Sequence, residues 1–157
     1  IPVLGHIGFK PQTSRLWNNQ KLHGKTSETA LLLIEDAKEL EKAGAFGIVL
    51  EMVTDEVAAL ISRSLSIPTI GIGSGLNCDG QVLVSHDLLG MQENIQLKFV
   101  KRYASLYDII HEAVSSYTKD VKSKNFPQET NCFHMNGDEF AKVLKTLKKE
   151  ERAGLND

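Results

Sequence analysis

Cysteine is scarce in this chain: Cys78 and Cys132 are the only two in 157 residues, and they stand far apart. The pair is too few for a disulfide framework and matches no metal or redox spacing, so a reduced intracellular setting is expected. No apolar run approaches the roughly 18 residues of a membrane span, and no membrane partner is expected. Neither sign of charge is in excess. With 18 basic and 20 acidic residues the net charge is -2, which argues against a nucleic-acid partner or an anionic membrane surface. Acidic residues are missing from Ile1–Lys25, which carries Lys10, Arg15, Lys21 and Lys25. Spaced cations of this kind either steer an anionic ligand or solvate a loop. An initiating methionine is also lacking. The chain opens on Ile1 in a strand-like segment, which suggests missing upstream sequence and leaves the absence of a targeting peptide uninformative.

What is present reads as one domain's length able to bury a core, with 41% hydrophobic and 24% charged residues. The organising stretch is Gly47–Ile48–Val49–Leu50–Glu51. Four small or apolar residues suit a buried parallel strand, and an ionisable carboxylate ends the run. Upstream, Thr26–Ala43 has helical periodicity, with Ala30, Leu33, Ile34, Ala37 and Leu40 on one face, and Gly44 supplies the left-handed residue that stops it. Downstream, Thr54–Asp55 can cap a helix over Asp55–Ser64 whose core side is Val57, Leu60 and Ile61. Ile1–Ile7 and Pro68–Ile72 read as further strands, Gly8–Lys25 as a polar loop and Gly73–Gly80 as a glycine-rich turn. Gln81–Ser85 reads as a fourth strand, followed by His86, Asp87 and a turn at Leu88–Met91. Helices are predicted over Glu93–Tyr103, over Ser105–Lys122 with Ile109, Ile110, Ala113, Val114 and Tyr117 inward, and over Asp138–Arg152 with Phe140, Val143, Leu144 and Leu147 as the apolar side. Strands alternating with helices imply a parallel sheet, whose ligands sit at the carboxyl ends of the strands. Glu51 and His6 occupy such ends. An open sheet and the carboxyl half of an eight-stranded βα barrel both satisfy the pattern. For Glu51 the residues alone leave a catalytic carboxylate and a lysine-paired structural one equally open. For Gly71–Gly75, a tight turn is preferred over an anion-binding run of N–H groups, and Asn77, Asp79 and Gly80 are expected to shape that turn. His86–Asp87 reads as a packed histidine beside a helix-capping aspartate.

Four collinear blocks resemble ketopantoate hydroxymethyltransferases: IPVLGHIGFKPQ at 1–12, AGAFGIVLEMV at 43–53, IPTIGIGSGLNCDGQVLVSHDLLGM at 67–91 and FPQETNCFHM at 126–135. The third is the most specific. The resemblance runs from Ile1 to about His134, and the final helix lies beyond it. It departs at Asn131–Cys132–Phe133–His134, where the family has a histidine pair and this chain keeps one.

The resemblance implies an α/β fold of the (β/α)8 TIM-barrel family, this chain being the C-terminal half, about four βα units, plus C-terminal helices. Residues 1–124 would belong to the barrel and 125–157 would form a loop and helix extension. The implied reaction moves a one-carbon unit from 5,10-methylenetetrahydrofolate onto 3-methyl-2-oxobutanoate, giving ketopantoate through an enolate. Glu51 matches the family's base, and His6 matches a pocket histidine that would hydrogen-bond the substrate or orient a water at the metal. The family's Mg2+ ligands, two aspartates and a glutamate, and a lysine that helps hold the keto acid lie on amino-terminal strands. No metal ligand is therefore expected within this chain. A homo-oligomer, a ring of dimers, is implied, in the cytoplasm of a bacterium, with mitochondria as the eukaryotic counterpart. Two alternatives stay open: a truncated assembly or interaction chain without activity, self-associating through the unpaired edges of a half barrel, or an enolate-forming barrel lyase of the phosphoenolpyruvate mutase type.

Overall fold

The computed structural model describes residues 1–11, 22–93 and 97–153, so residues 12–21 of the predicted polar loop lie outside the described residues. Two compact units divide the chain, Ile1–Asp108 and Ile109–Asp157.

The first unit holds four strands, β1 Leu4–Gly8, β2 Gly47–Glu51, β3 Thr69–Ile72 and β4 Gly80–Gln81. They form one sheet in chain order, each neighbouring pair parallel. Each crossover therefore steps to the next neighbour in one direction, which is the winding of a βα barrel and not of a doubly wound sheet, whose order reverses. Helix α1, Ser27–Lys42, joins β1 to β2, and α2, Asp55–Ser64, joins β2 to β3. The start of α1 is set by Thr26 and Thr29, whose hydroxyls each accept the other's backbone N–H at 3.2 Å. Its end is set by Gly44 at φ 92°.

Register decides which side chains share a face. Gly5, Ile48 and Thr69 lie abreast, as do Ile7, Leu50 and Gly71, and this face meets the helices. Ile7, Ile48 and Leu50 pack there with Leu33 and Ala37 of α1 and Val57, Ala58 and Ile61 of α2. The other face carries His6, Val49 and Ile70 in one row and Gly8, Glu51 and Ile72 in the next. The two periodicities of sheet and helix thus separate an apolar core from a face that carries ionisable groups.

Three expectations need correction in this unit. Leu60 is 50% exposed, and Ala58 takes its place in the core, because at 3.6 residues per turn Val57, Ala58 and Ile61 share one stripe and Leu60 falls beside it. The fourth strand is only Gly80–Gln81, since β3 turns away at Gly73 and leaves Ile70 and Gly71 as its partners; Ser85 already opens a short helix, α3, Ser85–Leu88. No helix forms at 97–103, and 94–96 lie outside the described residues. Instead this segment gives its hydrogen bonds to α3 and the residues after it, Tyr103 N–H to the Leu88 carbonyl at 2.9 Å and Leu106 N–H to that of Leu89 at 3.1 Å. The Phe99 ring packs closely on Gly73.

Two carboxylates, half-buried Glu41 and exposed Asp79, tie turns together. Glu41 accepts from Ser66 N–H at 2.7 Å, the Ser66 hydroxyl at 2.6 Å and Ile67 N–H at 3.2 Å. Asp79 accepts from Thr69 N–H at 2.8 Å and its hydroxyl at 2.9 Å. The Ser66 hydroxyl, then the backbone N–H groups, hold Glu41 below its ordinary value, and Thr69 does the same for Asp79. Depressed carboxylates add stability above their unfolded pKa and lose it as pH falls through the folded one. The urea midpoint is therefore expected to drop between neutral pH and about pH 3, and Glu41→Gln with Asp79→Asn to flatten that drop.

The second unit continues α4, Tyr107–Lys122, then a 3-10 turn, Glu129–Asn131, and α5, Gly137–Ala153. Both helices are amphipathic as expected, but Ile109, Ile110, Ala113, Val114 and Tyr117 are exposed, not inward, and so are Phe140, Val143, Leu144 and Leu147. On α4, Tyr117 packs edge-on to Phe126 at 5.6 Å between ring centroids. Periodicity marked the apolar stripe; its cover was not part of the pattern.

Candidate active site

The carboxyl end of β2 is tied by several backbone hydrogen bonds. Glu51 accepts Phe9 N–H at 2.8 Å through its carbonyl, and Met52 gives its N–H to the Ile72 carbonyl at 2.9 Å. Met52 then takes φ 51°, a left-handed conformation that costs an L residue about 1–2 kcal/mol. Around it, His23 N–H reaches the Met52 carbonyl at 2.8 Å, and Thr54 N–H reaches the His23 carbonyl at 3.0 Å. Fully buried Ser74 closes the loop: its hydroxyl donates to the Leu50 carbonyl at 2.7 Å and accepts Val53 N–H at 3.1 Å. A strained residue held by so many bonds marks a backbone that must keep one shape, and strain of this kind gathers at functional sites.

That shape presents Glu51. Its side chain is 14% exposed, and Oε2 lies 3.1 Å from His6 Nε2, whose ring is 33% exposed. Register explains the meeting. Gly8 lies abreast of Glu51 and has no side chain, so the carboxylate leans across to His6, one row back on the same face. His6 Nε2 is also 3.0 Å from the Phe9 carbonyl. Burial pushes the Glu51 carboxyl above its ordinary value, while the charge and hydrogen bond of His6 pull it back. A carboxylate shielded from water and aimed by one donor is equipped to take a proton from carbon.

The other sequence candidates are placed more plainly. Gly71 is backed by Cys78 and Gln81, Gly73 by Phe99 and Gly75 by Asp55, so the glycine-rich run is a tight turn with close packing at each glycine. Asn77 donates to Asp55 at 3.3 Å, and Asp79 clasps Thr69, which is the shaping role expected. The Thr54 hydroxyl does not cap α2; it donates to the Gly24 carbonyl at 3.1 Å. His86 is exposed, not packed, and Asp87 lies inside α3 and does not cap it. His134 is exposed and pairs with Glu129 at 3.0 Å. Lys10 acts on His23, whose pKa is lowered by burial first and by that lysine second; Arg15 and Lys21 lie outside the described residues. Both cysteines are free. Sequence reasoning missed Ser74 and the backbone role of His23. A serine in a glycine-rich run carries no signal that its hydroxyl will splice a strand end two elements away.

Among the described residues, no group of three or more His, Cys, Asp or Glu is placed to hold a metal ion. His6 and Glu51 are two groups already bonded to each other, so they do not fit a magnesium site.

A parallel sheet wound in one direction, with Glu51 at the carboxyl end of β2 and His6 mid-strand in β1 and not at its end as expected, defines a chain of the βα-barrel class. A sequence model of the ketopantoate hydroxymethyltransferase family matches residues 1–129, and the chain belongs to that family. It is 54% identical over 147 residues to the 3-methyl-2-oxobutanoate hydroxymethyltransferase of Nitrosopumilus maritimus, covering 94% of this chain and 53% of that protein. The enzymes of that name from Clostridioides difficile and Carboxydothermus hydrogenoformans are 50% identical over 143 residues and 54% over 135, covering 91% and 86% of this chain and 52% and 49% of their own lengths. The chain thus spans about half the length of the curated relatives it matches.

Proposed function

We propose that this chain carries the proton-abstracting part of a 3-methyl-2-oxobutanoate hydroxymethyltransferase. The observation behind the proposal is Glu51 itself: a shielded carboxylate at a strand's carboxyl end, its pKa raised by burial and one oxygen held by His6. Glu51 takes the proton from the keto acid's carbon beside the ketone, and the C–H electron pair becomes the enolate. The enolate carbon bonds to the one-carbon unit of 5,10-methylenetetrahydrofolate as one of that unit's two C–N bonds breaks, and water then replaces the remaining folate nitrogen on it. Overall, keto acid, methylenetetrahydrofolate and one water give ketopantoate and tetrahydrofolate, the water supplying the new hydroxyl. The relatives' name, a hydroxymethyltransferase, supports a one-carbon folate co-substrate. Magnesium belongs to the proposal only at the level of the whole protein, because the described residues here do not fit it. The ring of dimers has the same standing.

The test uses this chain joined behind the amino-terminal half of the Nitrosopumilus relative. In D2O with 3-methyl-2-oxobutanoate and no folate, deuterium is expected at the carbon beside the ketone. With methylenetetrahydrofolate, tetrahydrofolate is expected one for one with ketopantoate. Exchange without folate turnover, together with cleavage of a C–C or C–P bond in a lyase substrate, would replace the transferase reading by the lyase one.

A further inference from the structure

We infer that His6 is a positioning residue for Glu51, its Nε2–H shared between the Glu51 carboxylate and the Phe9 carbonyl, and that it is not a ligand of the keto acid. This rests on Glu51 being the base. The chemistry of the partners assigns the proton. A backbone carbonyl only accepts, and so does an ionised carboxylate, so a ring nitrogen 3.0 Å from one and 3.1 Å from the other must carry the hydrogen. The Phe9 carbonyl anchors the ring to the chain that leaves β1, and Phe9 N–H is itself bonded to the Glu51 carbonyl at 2.8 Å. Histidine, carboxylate and backbone thus form one closed set, in which His6 holds Oε2 and leaves the second oxygen of Glu51 for the substrate's proton.

The neighbours leave this task to His6. Gly8 and Ile72 flank Glu51 in the sheet and carry no charge. His23, on the segment bridged to Val53, is acted on by Lys10. Among the described residues, His6 is the titratable group that acts on the Glu51 carboxyl. Its hydrogen bond favours the ionised base against the burial that opposes it, so losing it should both misaim the carboxylate and make it hold a proton to higher pH.

The experiment measures kcat, KM for 3-methyl-2-oxobutanoate and the pH profile of kcat/KM in the same fusion. His6→Leu is expected to lower kcat by about 10- to 100-fold, less than the roughly 10²–10⁴-fold of losing the base itself because Glu51 remains, to leave KM within about threefold, and to move the acid limb to higher pH. His6→Gln, which keeps an N–H at similar reach, should restore kcat to within about fivefold of the parent and return the limb to its place. His6→Asn is polar but too short to reach Glu51. It should behave like His6→Leu, and it carries the test should the leucine variant fail to fold. A raised KM with unchanged kcat would make His6 a substrate ligand and overturn the inference. So would an unmoved acid limb, or a glutamine variant no better than asparagine. Glu51→Gln in the same fusion separates the two levels. If it keeps turnover, the base assignment fails; if it is inactive while the His6 variants leave the limb in place, only the role of His6 fails.

Discussion

Glu51→Gln in the fused protein is expected to lower kcat by about 10²–10⁴-fold, the share that a positioned general base contributes. KM for 3-methyl-2-oxobutanoate should stay within a few-fold, because the loss falls on the transition state and not on ground-state binding. Deuterium exchange without folate should fall in parallel, since it reports the proton step alone. The variant should also fold. Glu51 has its pKa raised by burial, so its contribution to stability is greatest below the unfolded carboxylate pKa and is lost as pH rises through the folded one. At neutral pH the ionised side chain works against the fold. A neutral amide of the same shape removes that opposition and still fills the space beside His6. Its urea midpoint is therefore expected to equal or exceed that of the parent, which separates lost chemistry from lost structure. Near-normal turnover would remove Glu51 from the mechanism.

The position of Glu51 was legible because it depends on local pattern. The apolar run Gly47–Leu50 lies between a capped helix and Thr54–Asp55, and its end could be read directly. The partnership with His6 was not legible. It follows from the pairing of Gly8 with Glu51, 43 positions apart in the chain, where the side-chain gap at Gly8 matters as much as either ionisable group. Register of this kind is set by packing along the whole sheet and leaves no mark at either residue. The same physics accounts for the errors. Residues 93–103 were expected to be helical, yet the Tyr103 N–H bonds to the Leu88 carbonyl in α3 and Phe99 packs on Gly73, so tertiary contacts overrode the local pattern. In α4 and α5 the stripe of apolar residues was read correctly, whereas what lies over a stripe is a property of other segments.

Gly8→Ala is expected to cost the most stability of any single methyl added at this sheet. Two effects combine there. Gly8 sits at φ 94°, where an L residue pays about 1–2 kcal/mol. A Cβ would also overlap the Glu51 carbonyl oxygen and stand 2.9 Å from Val53 Cγ2. Backbone cannot yield there as a flexible side chain would. The ends of β1 and β2 must part, which breaks the 2.8 Å bond from Phe9 N–H to the Glu51 carbonyl and draws His6 away from the carboxylate. Gly44 provides the control, because its φ is 92° and a Cβ there would meet nothing within 4 Å. Gly44→Ala should therefore show the conformational cost alone, about 1–2 kcal/mol. Gly8→Ala should exceed it by at least about 2 kcal/mol, in the range of overpacked cores. Urea unfolding of the two variants side by side reads the difference. If they are equally destabilised, the close approach of Gly8 to Glu51 is not what shapes this strand end, and the diagonal reach to His6 loses its structural cause. If the gap appears, any folded Gly8→Ala protein should also lose kcat, because the methyl that separates the strands separates the base from the histidine that aims it.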